Sequence, residues 1–338
     1  MSATPVPTEP PVPVLGVLQS RWTPPTESNI PTHTGAPPAP DAIYIAAPPT
    51  EDIGELISAH STVREKGGEL YLWQRFVWGV GGAWLGIVLI VFLGNKLFGL
   101  PMNAVTLTVA GIIGGIPGAI FGAPANTTTY VGTKGAARFV WGGKNHPVKA
   151  AQIMPFADVN GSNVSQTRNF YNGIYTGTEY SYVWGRQDDA GKTHKLLEVS
   201  GRFHRMKGPR DSDELYYFGA AVEAAYTTYR MVQLRELLAN GGSEPFAITG
   251  GGELILSAKG LQVERYKKQE FIPVENIAGL GIHEGQITII RAGAKKGFLG
   301  IGSEGVFNVG YAELASPRLF LALLAYIAQQ NAPDIPED

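Results

Sequence analysis

The chain has no cysteine. That absence removes disulfides, thiolate zinc sites and cysteine nucleophiles together, and it fits a reducing compartment. Charge is scarce too: 17% of residues are Asp, Glu, Lys or Arg, below the usual quarter, and the formal net charge is −2. A near-neutral molecule has no overall field to hold a polyanion, so nucleic acid is not expected as a partner. The deficit also points to a segment that avoids water. The opening residues, MSATPVPTEPPVPVLGVLQS, lack a basic stretch followed by an apolar core, so no secretory leader is expected. There is no G-x-S-x-G elbow and no HExxH pair. The six histidines, His33, His60, His146, His194, His204 and His283, include no pair at i, i+4. Neither a metal site nor a cofactor is expected, and no enzyme activity.

Proline and glycine, by contrast, are plentiful and unevenly placed. Residues 1–50 hold 13 of the 24 prolines and only four charges, Glu9, Arg21, Glu27 and Asp41. Such a stretch builds neither helix nor ladder, which predicts a disordered or polyproline-like tail. Its PTEPP and PPAP runs fit either a ligand for an aromatic groove or a plain spacer. In residues 51–70, Ile53, Leu56, Ile57, His60 and Val63 recur at three- and four-residue steps. That spacing predicts a short amphipathic helix closed by Gly67-Gly68, docked on the protein or lying at a membrane surface.

Residues 71–125 predict a transmembrane hairpin. Phe76 to Asn95 is uncharged between Arg75 and Lys96, and Ala104 to Ala125 falls in a second uncharged run. About 20 apolar residues cross the ~30 Å hydrocarbon layer. Gly82 and Gly86 in the first span, and Gly111, Gly114, Gly115, Gly118 and Gly122 in the second, stand at small-xxx-small spacing. In lipid, small residues let helices approach backbone to backbone, so these glycines are the expected helix-packing face. Arg64, Lys66 and Arg75 before the hairpin, and Lys134, Arg138 and Lys144 after it, predict both termini on the cytoplasmic side of the inner membrane. That topology leaves the Asn-x-Ser/Thr sites at Asn126, Asn160 and Asn163 unglycosylated.

From Asn126 onward short alternating runs with turn signals predict strands. TTTYVGTKGAARFVWGG reads as two strands around Lys134-Gly135, and TGTEYSYVWGRQDDAGKTHKLLEVSGRFH as a long hairpin turning at DDAGK. Leu215, Phe218, Val222, Ala225, Tyr229 and Val232 hold helical spacing up to NGG at 240–242. The order then recurs: strands, then a helix opened by Ser316-Pro317 that buries Leu319, Phe320, Leu323, Leu324 and Ile327. Residues 126–242 and 243–331 therefore read as two modules related by duplication.

The chemistry-bearing motifs are few. GIGSEG at 300–305 precedes VFNVGY, a strand pattern, whereas a dinucleotide fingerprint opens a helix; a glycine-rich hairpin turn is expected. Tyr180, Tyr182 and Trp184 share one strand face, which serves either core packing or ligand stacking. Between Arg186 and Arg210 stand seven basic residues, Arg186, Lys192, Lys195, Arg202, Arg205, Lys207 and Arg210, against three acids. The run is either an ordinary solvated face or a surface for anionic lipid. Lys267-Lys268 and Lys295-Lys296 are weaker candidates.

GELILSAKGLQVERYKKQEFIPVENIAGLGIHEGQITII, followed by VFNVGY and a closing helix, resembles the bacterial pleckstrin-homology-like domains. The resemblance rests on the Lys259-Gly260 turn and the Pro273-Val274-Glu275-Asn276-Ile277 corner, and it extends weakly to GTKGAARFV and PFADV. It implies a bent antiparallel barrel capped by one helix, often fused to membrane helices. The expected class is therefore α+β: a transmembrane hairpin plus tandem β-barrel/one-helix modules behind a disordered tail. The expected function is membrane-anchored binding or scaffolding toward anionic lipid or a protein partner. The alternative is an oligomeric assembly or pore built from the glycine-rich hairpins.

Overall fold

The computed structural model describes residues 22, 30–64, 67–89, 108–109, 112, 126–141, 148–187, 193–210, 214–265, 268–295 and 304–331. A short helix, α1 (Thr50–Ile53), leads to strand β1 (Leu56–Ser61) and helix α2 (Gly67–Leu89). Then come β2 (Thr127–Gly132), β3 (Gly135–Trp141), β4 (Val148–Pro155), β5 (Gly161–Tyr171), β6 (Ile174–Gln187), β7 (Thr193–Phe203) and α3 (Glu214–Ala239). The rest holds β8 (Ser243–Ala247), β9 (Glu253–Ser257), β10 (Gly260–Arg265), β11 (Lys268–Pro273), β12 (Ile277–His283), β13 (Gln286–Lys295), β14 (Glu304–Gly310) and α4 (Pro317–Gln330).

The strands pair antiparallel throughout, in four sheets ordered β1-β2-β3-β4, β5-β6-β7, β11-β10-β9-β8 and β12-β13-β14. Twice, then, a four-stranded sheet, a three-stranded sheet and one helix follow one another. A single apolar core runs through both repeats, from Met154 and Trp184 through Phe218 to Leu256, Ile289 and Phe320. Helix α3 supplies Phe218, Val222, Tyr226, Leu234 and Leu238 to it; Val232, expected on that face, is exposed. Ser316 precedes α4 in a left-handed conformation and its hydroxyl does not cap the helix; it meets Ser162 Oγ at 3.1 Å and ties the start of α4 to β5.

Over the described residues, the expected α+β class with a two-helix transmembrane hairpin is corrected to mostly antiparallel β-sheet, with four sheets and the helices α1 to α4. No helix among the described residues is long and apolar enough to cross a membrane. Helix α2, described over Gly67–Leu89, carries Glu69, Gln74 and Arg75 in its first half. Gly79, Gly81, Gly82 and Gly86 further dilute its apolar character. Integral placement in the inner membrane is therefore not supported, and the orientation of the termini, inferred from the hairpin alone, falls with it. Most of the second expected span, 104–125, lies outside the described residues.

Two local expectations also change. The helix expected over 51–70 is instead α1, β1 and the start of α2, because Leu56–Ser61 pairs with β2 across a large gap in sequence. The 1–50 tail is not disordered where described. Residues 30–46 form a strap over the first sheet, with Ile43 N donating to Val63 O at 2.9 Å and the Tyr130 hydroxyl donating to Ala46 O at 2.6 Å. Tyr44, Ile45 and Ala46 fill a second cluster with Tyr130, Ala137 and Phe139. This is why every residue of β2 is buried: the main core covers one face and the strap the other.

The chain leaves the first sheet after β1 and rejoins it at β2 through one clasp. Thr62 N donates to Thr127 O at 2.9 Å, and Thr127 N donates to Thr62 Oγ1 at 2.7 Å.

Candidate functional site

Strands β5 and β6 are joined by Asn172-Gly173, both with positive φ, 48° and 79°. That is the backbone of a two-residue turn whose twist suits a hairpin, and Asn followed by Gly adopts it at little cost. The turn carries the hairpin tip into solvent. Phe170, Tyr171 and Ile174 are exposed there by 54%, 72% and 70%. Tip residues of a two-stranded projection have no layer to bury them, yet these three are large and apolar.

The segment after β7 lies beside the tip. The Tyr175 hydroxyl is 3.2 Å from Arg205 O and 2.7 Å from Thr178 Oγ1. His204 Nδ1 meets Thr176 O at 3.0 Å, and Arg202 Nη2 donates to the same oxygen at 2.9 Å. These bonds lay residues 202–205 beside Tyr175 and Thr176 at the base of the tip, and Met206 and Lys207, which follow in sequence, are exposed. Arg168, on the rung opposite Thr178, adds a fourth cation. One acid lies among them, Glu179, 3.9 Å from Arg202. The result is an apolar point with basic residues at its base.

The seven-residue basic run is not one face. Thr178 pairs with Phe203 at the tip end of the β6–β7 ladder, while Arg186 pairs with His194 at the other. Eight residues of strand separate them by about 26 Å. Arg202, Arg205 and Lys207 lie toward the tip end; Arg186 and Lys195 stand at the far end, with Lys195 ion-paired to Glu198 at 2.9 Å. Arg210 is exposed, and Lys192 lies outside the described residues. Lys268 and Lys295 belong to the second repeat, and Lys267 and Lys296 lie outside the described residues. Of the packing glycines, Gly82 and Gly86 are half-buried on α2, whose Val77, Val80, Trp84 and Leu85 are exposed; Gly111, Gly114, Gly115, Gly118 and Gly122 lie outside the described residues. Tyr180, Tyr182 and Trp184 are buried, as core residues, beneath Tyr216 and Phe203.

Sequence reasoning missed Phe170, Tyr171, Ile174, Met206 and Arg168. The signal was present in Tyr171-Asn172-Gly173-Ile174, an Asn-Gly pair between apolar residues. Sequence reasoning named His33 and His60 but not their pairing; His33 on the strap and His60 on β1 have rings 6.4 Å apart. Both nitrogens of His33 are taken by hydroxyls, Ser58 at 2.8 Å and Thr129 at 2.9 Å. Among the described residues no three His, Asp or Glu side chains converge as metal ligands. No protein-family model matches the chain, and no curated protein matches it.

Proposed function

We propose that the protein is a binding module that docks peripherally on an anionic lipid surface through the β5–β6 tip. The observation that carries this reading is the exposed Phe170, Tyr171 and Ile174 at the tip, with Arg202 and the exposed segment Arg205-Met206-Lys207 tied at its base. Burying an exposed Phe or Ile at the acyl boundary contributes roughly 1.5–3 kcal/mol, and each basic residue near an anionic leaflet about 1 kcal/mol. Tyrosine suits the headgroup level, where its ring is buried and its hydroxyl stays wet. Kinship with the bacterial pleckstrin-homology-like domains belongs to the same proposal; what supports it is the twice-repeated order of sheet, sheet and helix.

Co-sedimentation of the full chain with phosphatidylcholine vesicles, with and without phosphatidylserine, tests the docking. Binding is expected to rise with phosphatidylserine, to fall with salt, and to weaken about tenfold in Ile174→Asp and Arg205→Glu. Equal binding to neutral and anionic vesicles, or unchanged binding by both variants, refutes it. Both positions are exposed, so the substitutions leave the core intact.

A further inference from the structure

Where the two repeats meet, a cavity of about 750 Å³ opens between β5 and α3 on one side and the β12–β13 turn and the end of β14 on the other. Two edge strands border it, β5 and β12. Val164 and Ile282 give it apolar walls, and the phenol rings of Tyr182 and Tyr216 stand together with centroids 6.1 Å apart. A space of this size with an aromatic lining and a few polar groups has the form of a small-molecule site.

Its polar centre is Glu223, which α3 places among apolar neighbours with 7% exposure. The Tyr311 hydroxyl donates to Oε1 at 3.2 Å. At Oε2 the nearest cation is Arg318, whose Nη1 is 4.0 Å away, beyond hydrogen-bond distance, on a half-exposed side chain. The carboxylate is thus held by one phenol and one long ion pair in a largely desolvated setting. Burial accordingly pushes the Glu223 carboxyl above its usual range, against the opposing effects of Arg318 and Tyr311. At the mouth, Arg168 and Glu284 oppose each other in charge, so the interior acid is not answered by the rim.

We propose that this inter-repeat cleft binds an organic ammonium compound, with Glu223 as the counter-charge and Tyr182 and Tyr216 as the aromatic wall. The ammonium N–H groups donate to the Glu223 carboxylate, which lines the cavity. Ring faces attract the cation through their quadrupole, and the apolar remainder fills the space toward Val164 and Ile282. An anion would meet Glu223 and Glu284 together. A neutral apolar molecule would cover the carboxylate and add no donor to it.

Titration of the full chain with phenethylamine, 2-phenylethanol and phenylacetate, followed by saturation-transfer NMR, tests this. Phenethylamine is expected to bind saturably in the roughly millimolar range of a small fragment, and at least tenfold more tightly than the alcohol or the acid. Glu223→Gln keeps the acceptor for Tyr311 and removes the charge; it is expected to weaken the amine at least tenfold and leave the alcohol unaltered. Ala312→Trp, at an exposed position on the rim, fills the cavity without touching Glu223 and is expected to abolish binding of the amine. Absence of saturable amine binding, equal binding of the alcohol, or amine binding insensitive to both variants overturns the proposal. Should Glu223→Gln fail to fold, the comparison of probes on the unaltered chain and the Ala312→Trp variant decide. Vesicle docking plays no part in the readout.

Discussion

His60 on β1 faces Glu214 in the first turn of α3, with Nδ1 3.4 Å from the carboxylate Oε2. The pairing alone would favour a charged imidazole. Burial and the neighbouring Arg64 outweigh it and hold His60 down to about 4. His33, enclosed beside it under the strap, is held down to about 3, again by burial first and by His60 second. An unfolded histidine titrates near 6.5. Between these values the unfolded chain carries protons that the folded chain refuses. Stability is therefore full above pH ~6.5 and falls as pH drops toward 4 and then 3. Thermal unfolding at pH 7 and pH 4.5 checks this: the melting temperature falls at the lower pH, and the fall shrinks in His33→Gln/His60→Gln.

One buried hydroxyl joins the strap to β2, beside the bonds made by Ile43 and His33. Tyr130, fully buried, donates to Ala46 O at 2.6 Å. Tyr130→Phe keeps the ring and strands that carbonyl, at a cost of about 1–3 kcal/mol. Limited proteolysis is the sharper readout, with faster cleavage within 30–50 and unchanged protection of β5–β7.

Gly260 sits in the Lys259-Gly260 turn at φ 151°, where an added Cβ would run into the carbonyl oxygen of Ile272 on β11. Gly260→Ala must shift the β9–β10–β11 ladder or distort the turn, at about 1–3 kcal/mol. Urea denaturation is expected to show a lower midpoint with an unchanged slope.

Glu223 titrates in the opposite sense to the histidines. Its folded pKa lies above the unfolded value, so the native state keeps the proton longer, and stability declines as pH rises through that range. Glu223→Gln does not ionise. Its stability relative to the unaltered chain is expected to improve from pH 4 to pH 7.5, which denaturant titration at the two pH values measures.

What could be read ahead of the structure was what local chemistry decides. The strands on either side of Lys134-Gly135 and of Lys259-Gly260 are signalled by turn residues inside the segments themselves. β1 is different. Its residues fit a helical step as well as an extended one, and pairing with Thr128–Gly132, far along the chain, settles the matter. The strap misleads because proline reads as a breaker, while Tyr44 and Ile45 are wanted as a cover for β2. The basic run is continuous in sequence but the β6–β7 ladder sends its members to opposite ends. The cleft leaves no linear trace, since Tyr182, Glu223 and Tyr311 come from a strand, a helix and the end of another strand.

The Thr62–Thr127 clasp brings the two ends of the long connection between β1 and β2 together at the sheet. Entry and exit share one doorway, so the register of β1 on β2 owes nothing to the length of the detour, and the entropic toll of lengthening it grows only logarithmically. The connection can thus be exchanged or extended while the sheet behind it stays in place.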